Sequence, residues 1–254
     1  MSKFRFFARV GRVLRRRGLT LLQLLRIPLQ FSLFQSVPIP RFALRWRDRW
    51  LCLGDMTSVT SFDRHYVYHA AWACRVLAES RPVEHVDISS SLYFVATASA
   101  FVPIRFYDYR PAQLGLSGLL CDHADLTRLH FANGSIESLS CMHVVEHVGL
   151  ARYGDPLDYD GDLKAVAELC RVLSLGGQLL FVVPMGGEAR IQFNAHRIYT
   201  YRQVLGMFEG FELVEFALIP DDGSSLGLMR HAEETLSDAQ RYGCGCFWLR
   251  KVKL

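Results

Sequence analysis

The chain has 254 residues, half of them hydrophobic, enough for one large α/β domain plus a short appendage. Its net charge of +4 is uneven: residues 1–50 carry 12 Lys/Arg against Asp48 alone, so the rest is mildly acidic, which argues against broad nucleic-acid binding by the main body. Seven cysteines, at 52, 74, 121, 141, 170, 244 and 246, sit mostly in apolar runs without a C-x-x-C pair, which excludes a disulfide framework and points to a reducing compartment.

Residues 4–17 read as a basic amphipathic helix. Arg5, Arg9, Arg12 and Arg16 share one face; Phe6, Phe7, Val10, Val13 and Leu14 share the other. Such a helix suits an anionic membrane surface, and packing on the domain is the alternative. The leucine run that follows is broken by Arg26 and Pro28, too short to span a bilayer, and no small-residue cleavage site comes after it. The expectation is a cytoplasmic chain, at most peripheral to the inner face of the plasma membrane. Pro38 and Pro40 open a linker, so the arm and linker cover 1–58 and the main domain 59–254. A helix follows in which Tyr66, His69, Ala73 and Val76 recur at helical spacing. His65 and His69 form an i, i+4 pair, read as packing histidines rather than metal ligands because no third ligand is evident.

Residues 83–111 organise the rest. Val83 to Ile88 is a short β-branched run, read as a strand closed by the acid Asp87. Ser89, Ser90 and Ser91 form a turn, Leu92 to Phe101 a helix, and Ile104 to Tyr107 a second strand closed by Asp108. Strand, helical crossover and strand make parallel neighbours, with ligands bound beyond their carboxyl ends. Asp108 lies 21 positions after Asp87, where an acid accepts hydrogen bonds from the ribose hydroxyls of an adenosine-containing ligand. No G-x-G-x-x-G is present, which disfavours a dinucleotide. Leu114 to Leu120 is a short third element, Asn133-Gly134 a turn, and Ile136 to Met142 the fourth strand. His143, Glu146 and His147 spell H-x-x-E-H, which on a helix would put both histidines on one face of a zinc hydrolase. That reading is set aside, because the motif directly follows a strand. A helix through Leu163, Val166, Leu169, Cys170 and Leu173 is expected to stop at Gly176-Gly177, followed by the buried strand QLLFVVP. Met185 to Arg197 reads as a polar loop, with Asn194, His196 and Arg197 as substrate-contact candidates. Thr200 and Gln203 form a capping box, FELVEFALI a sixth strand and CFWLRKVKL an antiparallel edge strand.

These stretches resemble class I S-adenosylmethionine-dependent methyltransferases, of the type-11-like group, over residues 60–250. The resemblance rests on the two strand-end acids, the run HADLTRLHFANGSIESLS and the segment RVLSLGGQL. DISSS stands where the family carries D-x-G-x-G. The fold so implied is a Rossmann-like, doubly wound seven-stranded sheet, mostly parallel with an antiparallel edge strand, preceded by the basic arm. The resemblance assigns S-adenosylmethionine to Asp87, Ser89, Ser91, Asp108, Tyr109, Asp125 and Leu126. Asn194 and Arg197 are the substrate candidates. His143, Glu146, His147 and His196 are the candidates for base catalysis, with no metal. FDRHYVYHAAWA, HVVEHVGLARYGDP and FNAHRIY look like a divergent bacterial family of unknown function linked to surface-polysaccharide synthesis. The implied reaction is methyl transfer to an oxygen or nitrogen nucleophile on a sugar or glycan precursor. The alternative is a non-catalytic scaffold of the same fold at the membrane surface, favoured by the serine turn.

Overall fold

The computed structural model describes residues 22–36, 38, 41–53, 55–221 and 227–253. The basic amphipathic helix expected over 4–17 lies outside these. Two compact units divide after Ser61. In the first, residues 22–35 are helical and leave Leu25, Leu29, Leu33 and Phe34 exposed. No helix among the described residues is long and apolar enough to cross a membrane.

The second unit begins with α1 (Arg64–Ser80). Asp63 caps its start, accepting from the Tyr66 amide at 3.2 Å, and Arg81 ends it in the left-handed region at φ 48°. The elements that follow are β1 (His85–Ile88), α2 (Leu92–Ala98), β2 (Ile104–Asp108), β3 (Leu119–His123), β4 (Ile136–Met142), α3 (Gly161–Val172) and β5 (Leu173–Met185). Then come β6 (Arg190–Gln192), β7 (His196–Ile198), α4 (Tyr201–Met207), β8 (Phe211–Ile219), α5 (Glu234–Asp238) and β9 (Gly243–Lys251).

Seven strands form one sheet in the order β3-β2-β1-β4-β5-β9-β8. β1 pairs in parallel with β2 and β4, β2 with β3, and β4 with β5. β9 runs antiparallel to both β5 and β8. The expected doubly wound sheet with an antiparallel edge region is present, with the chain's last strand lying one position in from β8. The core explains that placement: Cys244, Cys246, Phe247 and Leu249 on β9 are all buried, as an inner strand requires. Alternation along β5 feeds two cores. Leu179, Phe181 and Val183 pack with α3 and α4; Leu180 and Val182 pack with α1 and α2.

Three expected boundaries move. The third strand is Leu119–His123, not Leu114–Leu120. The run from 185 to 197 is not a plain loop: β6 and β7 form a hairpin within it. The helix ahead of β5 ends at Val172 rather than at Gly176-Gly177. Leu173 turns extended, is fully buried and pairs with Ile136. Its carbonyl and that of Cys170 accept from Lys251 Nζ at 2.9 and 2.7 Å, so a lysine on β9 does the work assigned to a glycine cap. Gly176 sits inside β5 at φ 80°, beside the point where the β4–β5 register slips.

Candidate functional site

A cleft of about 350 Å³ opens beyond the carboxyl ends of β1, β2, β3 and β4. Parallel strands joined by crossovers put their β-to-α turns on one edge, which is why residues far apart in sequence meet there. Ser89, Ser90 and Ser91, Asp108, Tyr109, Asp125, Leu126, His143 and His147 all line it. Asp108 Oδ1 accepts from the Arg110 amide at 2.6 Å. Asp125 Oδ1 accepts from the Thr127 amide and hydroxyl at 2.8 and 2.7 Å. In each acid Oδ2 has no hydrogen-bond partner among the described residues. Leu126 is buried and supplies an apolar wall.

The serine turn adopts the conformation a glycine would favour: Ser89 sits at φ 57°. Its hydroxyl points to the Tyr107 carbonyl at 3.4 Å, and the Ser90 hydroxyl accepts from the Met142 amide at 3.0 Å. Ser91, at the start of α2, is therefore the serine whose hydroxyl remains for a ligand. Asp87 is corrected by the structure. It is fully buried, and its oxygens accept from the Ser90 amide at 3.0 Å and from the Ser140 hydroxyl. It holds the turn and touches no ligand space. Burial pushes its carboxyl up to about 6, against the hydrogen bonds that favour the ion. Behind it runs an ordered chain of donors. Gln178 Nε2 donates to Ser138 at 2.9 Å, Ser138 meets His85 Nδ1 at 2.7 Å, and His85 Nε2 donates to Ser140 at 2.8 Å. Ser140 then donates to Asp87.

After β4 the H-x-x-E-H residues do not form an α-helix. His143 is left-handed at φ 58°, and Val145–His147 is a single 3₁₀ turn. The two histidines consequently diverge. His143 Nδ1 donates to Glu146 Oε1 at 2.8 Å, while its Nε2 meets Cys244 Sγ at 3.3 Å, so neither nitrogen is left for a base. His147 Nδ1 donates to the Ala195 carbonyl at 2.7 Å, which Arg152 Nη1 shares at 2.9 Å. His147 Nε2 stands 3.7 Å from Glu146 Oε1, beyond hydrogen-bond reach, and keeps its lone pair. Burial lowers the His147 pKa, with Arg152 and His143 adding to the effect against Glu146 and the Ala195 carbonyl, so the ring is neutral. Burial also pushes Glu146 up to about 7, and its Oε2 has no partner.

The hairpin candidates do not reach the cleft lining. Asn194 is exposed at the turn between β6 and β7. Arg197 is buried; it donates to the carbonyls of Val148 at 2.6 Å and Tyr159 at 2.8 Å and lies 3.5 Å from Asp162. It fastens the loop that walls the cleft and is not part of the cleft lining. His196 stacks on Tyr242 at 5.1 Å and meets His147 edge-on at 6.3 Å, behind the lining.

Sequence reasoning passed over Tyr66 of α1, Arg110 and Tyr153, which line the cleft. Arg110 lies over the Tyr153 ring at 4.8 Å. Nothing local distinguishes these three, because each enters through a loop or a helix face set by tertiary packing.

The fold is that of the class I methyltransferases. Among solved structures it is similar to 1,6-didemethyltoxoflavin-N1-methyltransferase of Burkholderia thailandensis, crystallised with 1,6-didemethyltoxoflavin and S-adenosylhomocysteine. The TM-score is 0.52 at 11% identity, covering 73% of this chain and 79% of that one. It is also similar to the YcgJ protein of Bacillus subtilis, with a TM-score of 0.50 at 12% identity, covering 74% of this chain and all of that one. At such identities the likeness establishes the fold alone. A family model described as "Caenorhabditis protein of unknown function, DUF268" matches residues 124–243. No curated protein matches the sequence.

Proposed function

We propose that this protein moves a methyl group from S-adenosylmethionine to a hydroxyl or amine of a small polar acceptor, with a sugar or glycan precursor as the acceptor class. The observation that carries the reading is one cleft lined at once by two carboxylates with free oxygens, Asp108 at the end of β2 and Asp125 just past β3, and by a neutral histidine with a free lone pair. The residues fit the cofactor. Asp108 would accept from ribose hydroxyls and Asp125 from the adenine amino group, Leu126 would pack the base, and Ser91 would donate toward the amino-acid carboxylate. When bound, S-adenosylmethionine supplies an electrophilic methyl whose bonding electrons leave with sulfur as a neutral thioether. The protein then needs alignment and one proton acceptor. His147 Nε2 takes the acceptor's proton, and Glu146, 3.7 Å away, stabilises the imidazolium. Tyr66 and Tyr153 wall the acceptor side. The basic arm, with the exposed apolar positions of helix 22–35, favours contact with an anionic membrane surface, where such precursors are assembled.

Calorimetric titration of S-adenosylmethionine and S-adenosylhomocysteine into wild type and Asp108→Ala tests the reading. A charge-assisted pair of ribose hydrogen bonds is worth about 1.5–3 kcal/mol, so Asp108→Ala is expected to raise Kd by roughly 10- to 150-fold. No binding by folded wild type would overturn it in favour of a non-catalytic scaffold, for which the strained serine turn is the supporting observation.

A further inference from the structure

His65, His143 and Cys244 come from three elements far apart in sequence: the first turn of α1, the residue after β4 and the second residue of β9. One donor atom from each lies within 4.8 Å of the other two. None of them belongs to the proposed cofactor contacts or is the proposed base. We propose that these three side chains bind a zinc ion, as a two-imidazole, one-thiolate site at the base of α1.

The donor set is the first argument. A thiolate with imidazoles selects zinc over the hard oxygen-seeking cations. Zinc–nitrogen bonds of about 2.0–2.1 Å and a zinc–sulfur bond of about 2.3 Å place tetrahedral ligand atoms roughly 3.3–3.6 Å apart. Cys244 Sγ and His143 Nε2 already stand at 3.3 Å. The second argument is the group behind His143. Its Nδ1–H donates to buried Glu146 at 2.8 Å, the carboxylate–histidine arrangement that turns Nε2 and its lone pair toward a metal and raises its basicity. The third is burial: Cys244 is fully buried and His143 nearly so, which shields bonds between a metal ion and these donors from competing water.

Burial lowers His65 and His143 to about 4, so both rings are neutral and able to ligate at neutral pH. Burial holds the Cys244 thiol protonated in the absence of a cation. Binding therefore forms two Zn–N bonds and one Zn–S bond and releases the Cys244 proton to solvent. Three protein ligands leave a fourth position for water or for an acceptor atom, and His143 itself lines the cleft. The zinc would tie α1 to the sheet between the ends of β4 and β9, fixing Tyr66 in the cleft wall.

The test uses the full chain, purified without chelator and analysed for bound metal, then stripped and titrated with Co²⁺. The expected result is one equivalent of zinc per chain, and for Co²⁺ a thiolate-to-metal charge-transfer band with tetrahedral d–d absorption. Both should vanish in Cys244→Ser and His65→Ala and persist in Cys121→Ser on β3. The cobalt spectrum of unsubstituted protein reads the thiolate–metal bond directly, so the result stands even if a variant fails to fold. Folded wild type with no bound zinc and no charge-transfer band overturns the proposal, as does metal retained by Cys244→Ser. Neither outcome bears on S-adenosylmethionine binding, which the calorimetry measures separately.

Discussion

Replacing Asp87 by asparagine probes the buried base of the serine turn through the pH dependence of stability. Asp87 is fully buried on β1, paired with Ser140 of β4. Its carboxyl is pushed from 3.8 up to about 6, mainly by burial, with Asp108 adding repulsion and Ser140 and Ser90 opposing. A carboxyl whose folded pKa exceeds its unfolded value holds its proton more tightly in the folded state. The associated stability is fully present below pH 3.8 and is lost as the pH rises through 6. The shift corresponds to about 3 kcal/mol. Asparagine is isosteric, cannot ionise, and can donate to Ser140. The donor chain through His85 and Ser138 then reverses at a cost that does not vary with pH. Other groups titrate nearby: His85, lowered to about 3 by burial, pulls stability the opposite way between about 3 and 6.5. The informative quantity is therefore the difference between the two proteins in urea denaturation, measured from pH 4 to pH 7.5. The Asp87→Asn variant is expected to gain about 2.4 kcal/mol on wild type across that interval, the first part of the total of about 3 kcal/mol having been lost below pH 4, and nearly all of it by pH 7. A difference that stays flat would show that Asp87 is ionised without penalty and would refute the desolvation argument.

Three further outcomes are expected. Ser89→Gly relieves a left-handed serine whose only hydroxyl contact is long; about 1 kcal/mol of strain, partly offset by glycine's unfolded-state entropy, should leave the variant about 0.5 kcal/mol more stable by urea midpoint, without weaker S-adenosylhomocysteine binding. Arg230→Ala strands Glu215, which is 3% exposed and otherwise held by Trp72 Nε1 at 2.9 Å; since Arg230 is itself one-third exposed, a loss of about 2–3 kcal/mol is expected, with partial rescue by lysine. His147→Gln should lower kcat by roughly 10²- to 10⁴-fold for a hydroxyl acceptor while cofactor affinity, read by calorimetry, stays unchanged; equal losses in both would make the residue structural rather than basic.

The parallel strands β1, β2 and β4 and the acid that ends β2 were legible because each rests on local signals: β-branched runs, a helical crossover, and an acid where the run stops. Asp108 reaches the cleft for that reason, and Asp125 was found through the resemblance of its run; the place of the last strand inside β8 was not legible, because it depends on which sequence-distant strands pair. Asp87 misled because a strand-end acid reads the same whether it faces a ligand or a serine on the neighbouring strand. Arg197 misled similarly: a polar residue in a polar stretch is, in space, a buried clamp on two carbonyls. The end of α3 was misplaced because its cap, Lys251, lies 78 positions from Leu173 and leaves no local trace. His65 paired with His69 on paper because both lie on one helix, whereas the partner that completes its cluster, Cys244, comes from the last strand.

Arg197 has a kinetic corollary. Its guanidinium joins the carbonyls of Val148 and Tyr159, and between those points the Asp158 amide donates to Gly149 at 3.0 Å while Asp155 accepts from the Gly149 amide at 2.8 Å. At Gly149, φ 80°, an added Cβ would fall 2.0 Å from the Asp158 carbonyl oxygen, so the two ends of the loop lie back to back. A segment cross-braced in this way does not fray residue by residue. It opens as one cooperative unit, and its amides should exchange with solvent deuterium at a common rate set by the loss of these braces together. The wall of the cleft then behaves as a single rigid flap whose opening is all-or-none.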